Sequence, residues 1–136
     1  MAEQSDAAPL APQPIILVVD NVEESRDGIQ RLLVSDGYIV QTARSESEAI
    51  TLAAPRSPQL ILMNLGSPPH EGVASARHMR ETGVDRIVPI VVFCVEWFAD
   101  GENVGVGDNV YVAHPDNFNQ LREFLRILLM PVGRAD

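Results

Sequence analysis

The chain has 136 residues, of which 46% are apolar and 21% charged, the size and composition of one soluble globular domain. Its net charge of −9 argues against nucleic acid or an anionic membrane as a partner, and we expect neither. Cys94 is the single cysteine, which excludes an internal disulfide and favours a reducing, cytoplasmic location. No apolar run approaches the roughly 20 residues that span a bilayer, and the N-terminus does not resemble a signal peptide.

The first predicted elements lie between residues 1 and 37. Residues 1–14 contain several alanines and prolines without periodicity, so we predict a disordered leader. The apolar run at 15–19 predicts a strand buried on both faces. It ends at Asp20-Asn21, which we expect to cap a helix that stops at Asp36-Gly37.

Strands and helices alternate through the rest of the chain. We predict strands at 38–42, 60–63, 87–94 and 110–113, and helices over about 45–54, around 73–79 and over 118–129. Five strands alternating with helices predict an α/β doubly wound parallel sheet in three layers. The folded domain is expected to cover residues 15–131, with a tail at 132–136 and no second, output domain.

The segment after the fourth strand breaks this regularity. It contains Trp97-Phe98, followed by Gly101, Gly105 and Gly107. Each glycine costs a helix about 1 kcal/mol relative to alanine, so we predict a truncated or irregular fourth helix. The two aromatic side chains either pack into the core or, where exposed, mark a partner surface.

In a doubly wound sheet, function is expected at the carboxyl ends of the strands. The sequences at those ends resemble the response-regulator receiver family of two-component, phosphorelay signal transduction. The chain has IILVVDN where the family reads like ILVVDD, and PQLILMNLGSP where the family reads like PDLILLDLxMP. It has PIVVFCV where the family reads like PIIxLTA, and DNVYVAHP where the family reads like DDYLxKP. The resemblance covers roughly residues 15–130 and implies a flavodoxin-like sheet with the strand order 2-1-3-4-5.

Four of the five positions that carry the family's phosphorylation chemistry differ here. Asn64 stands at the phosphoacceptor position, and a carboxamide is not a usable nucleophile towards phosphorus. Of the acidic pair that holds magnesium in the family, Asp20 remains and Asn21 replaces the other acid. We therefore expect no cofactor, with Mg²⁺ binding weak at most. Cys94 stands at the hydroxyl position and His114 at the lysine position.

Simpler interpretations apply to the same residues. Asp20 and Asn21 can serve only as helix caps. Asn64 can hydrogen-bond loop amides, and it removes a like-charge repulsion with Asp20. Cys94 can be a buried apolar residue and His114 a loop histidine. His70 and His78 are predicted to be surface residues, since neither has a second metal ligand at a suitable spacing.

The resemblance and these departures together predict a stand-alone pseudo-receiver. It would not be an enzyme, and it would contact a histidine kinase or another signalling protein without being phosphorylated. The implied signalling surface contains Tyr111, at the aromatic switch position, with Trp97 and Phe98. The face formed by the fourth helix, fifth strand and fifth helix is a common dimer surface in the family, so a homodimer is a further expectation.

Two alternatives remain open. The first is a phosphorylatable receiver with an altered pocket, which Asn64 argues against. The second is a small flavodoxin-like ligand-binding protein or enzyme. It would need a glycine-rich phosphate loop after the first strand, where residues 20–24 are instead acidic and lack glycine.

Overall fold

Six strands form the sheet at the centre of the molecule. The structure, a computed structural model, describes residues 13–64, 69–93, 103–113 and 117–130. Within these residues the strands are β1 (Ile15–Asp20), β2 (Ile39–Ala43), β3 (Leu60–Asn64), β4 (Ile90–Phe93), β5 (Asn103–Gly105) and β6 (Val110–Ala113). The helices are α1 (Glu23–Ser35), α2 (Glu46–Ala53), α3 (Pro69–Glu81) and α4 (Phe118–Leu128). None of these helices is long and apolar enough to cross a membrane.

The strand order is β2-β1-β3-β4-β6-β5. The first five strands in this order pair in parallel, which confirms the predicted order 2-1-3-4-5. The sixth, β5, pairs antiparallel with β6 at the edge of the sheet, so the predicted count of five was one too few. The irregular helix that we predicted after the fourth strand falls on the chain between β4 and β6. Residues 103–105 of this segment form a strand and not a helix, and residues 94–102 lie outside the described residues.

Alternate residues of each strand face opposite layers, and this alternation gives the molecule two apolar cores. β1 and β3 are buried along their whole length, as the continuous apolar runs predicted. One core lies between the sheet and α2 and α3, and its helical residues are Ala49, Ala53, Ala76 and Met79. The other lies between the sheet and α1 and α4, and its helical residues are Ile29, Leu33, Leu121 and Leu125.

Gly72 sets how closely α3 approaches the sheet. A Cβ atom at this position would lie 2.4 Å from Cγ1 of Val92 on β4, closer than carbon atoms can pack. The absence of a side chain therefore brings the N-terminal half of α3 against β4. This half of α3 also flanks the edge of the sheet where the polar strand ends lie.

The β5–β6 hairpin is tied to α3 by arginine side chains. Its turn, residues 107–109, has positive φ values of 98°, 57° and 60° in sequence order. Arg80 donates hydrogen bonds of 2.6–3.1 Å to four backbone carbonyls, those of Asp85, Val88, Asp108 and Asn109. Arg77 donates a further one of 2.5 Å to the carbonyl of Val106. The hairpin is thus fixed by α3, and burial lowers the pKa of the Arg80 guanidinium.

Candidate functional site

Asp20 and Asn64 lie side by side at the carboxyl ends of β1 and β3. The parallel register pairs the two residues directly. Asp20 is fully buried and Asn64 is 7% exposed. Nδ2 of Asn64 donates a hydrogen bond of 3.1 Å to Oδ2 of Asp20. The sequence argument placed both residues at this edge, and the structure brings their side chains into contact.

The Asp20 carboxylate accepts two more hydrogen bonds. The backbone N–H of Val22 donates to Oδ1 at 2.8 Å, and the Ser25 hydroxyl donates to Oδ2 at 2.5 Å. Arg26 from the same helix donates to the backbone carbonyl of Asp20 at 3.0 Å. A buried carboxylate is stabilised only when its oxygens are hydrogen-bonded or paired, and here three donors meet that requirement.

The start of α1 corrects one prediction. The N-cap residue is Val22, which makes no side-chain capping hydrogen bond, so neither Asp20 nor Asn21 is the cap. Asp20 instead orders the turn before the helix by accepting from the N–H of Val22. Asn21 is exposed at the same edge of the sheet. The prediction failed because the chain stays extended through Val22 (φ −112°, ψ 119°), so the helix begins only at Glu23.

Several predicted site residues lie outside the described residues. These are Cys94, Trp97, Phe98 and His114. β4 and β6 end in register at Phe93 and Ala113, immediately before Cys94 and His114 in the chain. Within the described residues, no group of three or more His, Cys, Asp or Glu side chains is arranged to hold a metal ion.

Tyr111 is held at both ends of its side chain. Its hydroxyl donates a 2.7 Å hydrogen bond to Oδ1 of Asn109 in the hairpin turn. Its ring meets Phe124 of α4 edge to face, with 5.8 Å between ring centroids. Both contacts favour the half-buried position seen here, and edge-to-face pairs contribute about 0.5–1.5 kcal/mol beyond area burial.

One polar cluster was missed by the sequence argument. The Ser75 hydroxyl donates to Oε1 of Glu46 at 2.6 Å, and Nδ1 of His78 makes a short hydrogen bond to Oε2 of the same carboxylate. His78 is exposed, as predicted, but it is also paired. Glu46 precedes Ser75 by 29 residues and His78 by 32, and nothing in the local sequence pattern connects α2 with α3. His70, at the start of α3, is exposed, as the sequence predicted.

Comparison with known proteins identifies the family. A model of the response regulator receiver domain matches residues 16–126, and the chain therefore belongs to the response regulator receiver domain family of two-component systems. The predicted resemblance is confirmed at this level.

Similar curated proteins are the response regulators MprA of Mycobacterium sp. (strain KMS), at 30% identity over 116 residues, and of Mycobacterium avium (strain 104), at 29%. Each alignment covers 84% of this chain and 50% of the relative. The chain thus spans about half the length of these curated relatives.

Solved structures share the fold. The chemotaxis protein CheY4 of Vibrio cholerae aligns with a TM-score of 0.66 at 19% identity, over 87% of this chain and 100% of that one. The response regulator TrrA of Thermotoga maritima, solved in complex with Mg²⁺ and BeF, aligns with a TM-score of 0.64 at 24% identity, over 86% and 100%. A structure of the histidine kinase ThkA in complex with TrrA also matches, with a TM-score of 0.65 at 21% identity, over 87% and 100%. These similarities confirm the flavodoxin-like architecture.

Proposed function

We propose that this receiver domain is a pseudo-receiver, which acts by binding protein partners and is not phosphorylated. The observation that carries the proposal is the buried pair of Asn64 and Asp20. The phosphoacceptor position holds a carboxamide, which lacks the nucleophilic oxygen of a carboxylate. The nitrogen of that carboxamide is hydrogen-bonded to the one acid that remains at the site.

The same pair argues against a magnesium site. Magnesium favours several hard oxygen ligands, with carboxylates prominent among them, in near-octahedral geometry. Among the described residues, the side-chain oxygens available at this edge are those of the Asp20 carboxylate and the Asn21 and Asn64 amides. Oδ2 of Asp20 already accepts two hydrogen bonds and Oδ1 accepts one, so the carboxylate has about one acceptor position left for a metal ion. The residues present do not fit magnesium well, and we expect no resident cofactor.

The contacts of Tyr111 support a domain in which the surface around this side chain has one conformation. Movement of its side chain would break the hydrogen bond to Asn109 and the contact with Phe124. The turn that carries Asn109 is itself held through Arg80. No phosphoryl group is expected at Asn64 to offset those losses, so we infer that the surface around Tyr111 stays in one arrangement.

We assign the contacts with a protein partner to the face formed by α4, β6 and β5. It presents Tyr111 and Phe124, both half-buried, and Ile127, which is 52% exposed. Apolar side chains of this kind supply binding energy when a partner covers them. The ThkA–TrrA complex shows one receiver of this fold bound to a histidine kinase. For this chain we propose a protein partner of that kind, another signalling protein or a second copy of the chain.

Intact-mass spectrometry after incubation with acetyl phosphate and Mg²⁺ tests the proposal. The mass is expected to stay unchanged while a phosphorylatable receiver gains one phosphoryl group in the same reaction. The Asn21→Asp/Asn64→Asp variant is the matched comparison, since it restores both missing acids. A phosphoryl adduct on the wild-type chain, mapped to any residue of this edge, would overturn the proposal and favour a working receiver with an altered pocket.

A further inference from the structure

The cluster of Glu46, Ser75 and His78 joins two helices through a single carboxylate. Glu46 is the first residue of α2, while Ser75 and His78 lie one turn apart on α3. Each carboxylate oxygen of Glu46 has its own donor, the Ser75 hydroxyl on Oε1 and the His78 ring on Oε2. For this arrangement, Nδ1 of His78 must carry a hydrogen.

The rest of α2 is a short helix with few fully buried side chains. It has eight residues, of which Ala49 and Ala53 are buried, while Ile50 and Leu52 pack against the same core in partly buried positions. Ser45 caps it by accepting from the N–H of Glu48 at 3.1 Å, a contact within the helix that does not attach it to α3. A short helix with few fully buried side chains opens at a lower free-energy cost than the central strands of a sheet. The contacts of Glu46 therefore form a substantial part of what holds the beginning of α2 in place.

We propose that Glu46, Ser75 and His78 form a protonation-dependent tie between α2 and α3, which is strongest while the His78 ring is protonated and weakens when it becomes neutral. The protonated ring adds charge attraction to the hydrogen bond, and the neutral ring keeps at most the hydrogen bond. Two charged groups act on His78: Glu46 from α2 and Glu81 from α3 itself. Both are acidic, so both favour the protonated ring.

The direction of the pH effect follows from the shifts of both partners. The hydrogen bond and the charge of Glu46 raise the pKa of His78. Burial opposes the change in Glu46, but hydrogen bonds from Ser75 and His78 lower its pKa overall. The His78 contribution is fully present below the pKa of an unfolded-chain histidine, about 6.5, and is lost as the pH rises through the raised pKa. The Glu46 contribution is present above about pH 4.5 and is lost as the pH falls through the lowered pKa.

The tie lies at the same edge of the sheet as the candidate site. β2 ends at Ala43, so the beginning of α2 lies at the same edge of the sheet as Asp20 and Asn64. A change in the contacts of Glu46 therefore takes place at this edge without any chemistry at Asn64. The inference does not depend on whether the domain is phosphorylated.

Two NMR measurements on the full chain between pH 5 and 9 test the tie. One follows the ring protons of His78 and His70. The other follows amide hydrogen exchange in α2, with each rate divided by its intrinsic rate to give an opening constant. The opening constant should rise with pH, tenfold for each unit by which the measured pKa of His78 exceeds that of an unfolded-chain histidine. The His78→Gln variant should show no such rise, and His70→Gln should behave as wild type.

Glu46→Gln provides an independent variant, and it should bring the measured pKa of His78 down towards that of an unfolded-chain histidine, about 6.5. Several results would overturn the proposal. One is an α2 opening constant that stays flat while His78 titrates. Another is a pH-dependent rise that persists in His78→Gln. A third is a His78 pKa that Glu46→Gln leaves unchanged.

Discussion

Replacing Asn64 with aspartate is the most direct test of why an amide occupies this position. The substitution is nearly isosteric, but it exchanges the nitrogen that donates to Asp20 for a carboxylate oxygen. Two acids would then face each other 3.1 Å apart in a site where Asp20 is fully buried and Asn64 is 7% exposed. Adjacent buried carboxylates cannot both ionise without a large cost.

The magnitude follows from that distance. Two unit charges 3.1 Å apart repel each other by about 5 kcal/mol at an effective dielectric constant of 20. The folded variant can avoid most of the repulsion by keeping one proton on the pair, and proton uptake costs about 1.4 kcal/mol for each unit of raised pKa. A rise of two to three units, usual for paired carboxylates, corresponds to a loss of about 3–4 kcal/mol at pH 7. At pH 4 the unfolded chain also binds the proton, and the loss should fall below about 1 kcal/mol.

Urea denaturation of wild type, Asn64→Asp and Asn64→Ala at pH 4 to 8 measures this effect. The alanine variant also loses the hydrogen bond, at a cost of about 1–3 kcal/mol, but it adds no charge, so its loss should change much less between pH 4 and 8 than that of Asn64→Asp. Adding Mg²⁺ should recover stability in Asn64→Asp, more so when combined with Asn21→Asp, and should leave wild type unchanged. The reasoning fails if Asn64→Asp is no less stable than Asn64→Ala at pH 7, or if its loss is the same at pH 4.

Packing and charge pairing elsewhere give two further predictions. Gly72→Ala should destabilise the domain by about 1–3 kcal/mol in urea, because the new Cβ would lie 2.4 Å from Val92. Gly28→Ala, where a Cβ meets nothing within 4 Å, should stabilise α1 by about 1 kcal/mol; a loss at both glycines would contradict the packing described. The hydrogen bond from Arg122 lowers the pKa of Asp36, so Asp36 adds stability above about pH 4 that is lost as the pH falls through its lowered pKa. The difference in thermal stability between wild type and Asp36→Asn should therefore be constant above about pH 5 and shrink in stronger acid, and a difference unchanged down to pH 2 would refute this.

The central sheet could be predicted because its signals are local. Each run such as residues 15–19 or 60–63 is too apolar to lie anywhere except between two layers of helices. Alternation with helical patterns then implies parallel pairing, and the carboxyl ends of parallel strands meet at one edge. The co-location of Asp20 and Asn64 follows from these rules alone.

The features that could not be predicted depend on contacts between distant parts of the chain. Residues 103–105 have weak strand propensity and include Gly105, yet they form β5 because Val104 pairs with Val112. The strand predicted at 87–94 begins only at Ile90, since the chain before it forms a turn in which Ile87 is 78% exposed. The hydrogen bond from the Asn64 nitrogen to Asp20 was not predicted, because it depends on the register of β1 and β3.

The loss of two acids changes what stabilises this edge of the sheet. A receiver with three clustered carboxylates depends on a bound cation or on shared protons to offset their repulsion. Here a single buried carboxylate accepts hydrogen bonds from the N–H of Val22, the Ser25 hydroxyl and the Asn64 amide. The pseudo-receiver proposal implies that a metal ion or phosphoryl group adds little free energy at this edge, and a ligand that does not distinguish two states cannot shift the balance between them. Regulation of this domain should therefore act where binding or protonation still changes contacts, at the face around Tyr111 and at the tie between Glu46 and His78.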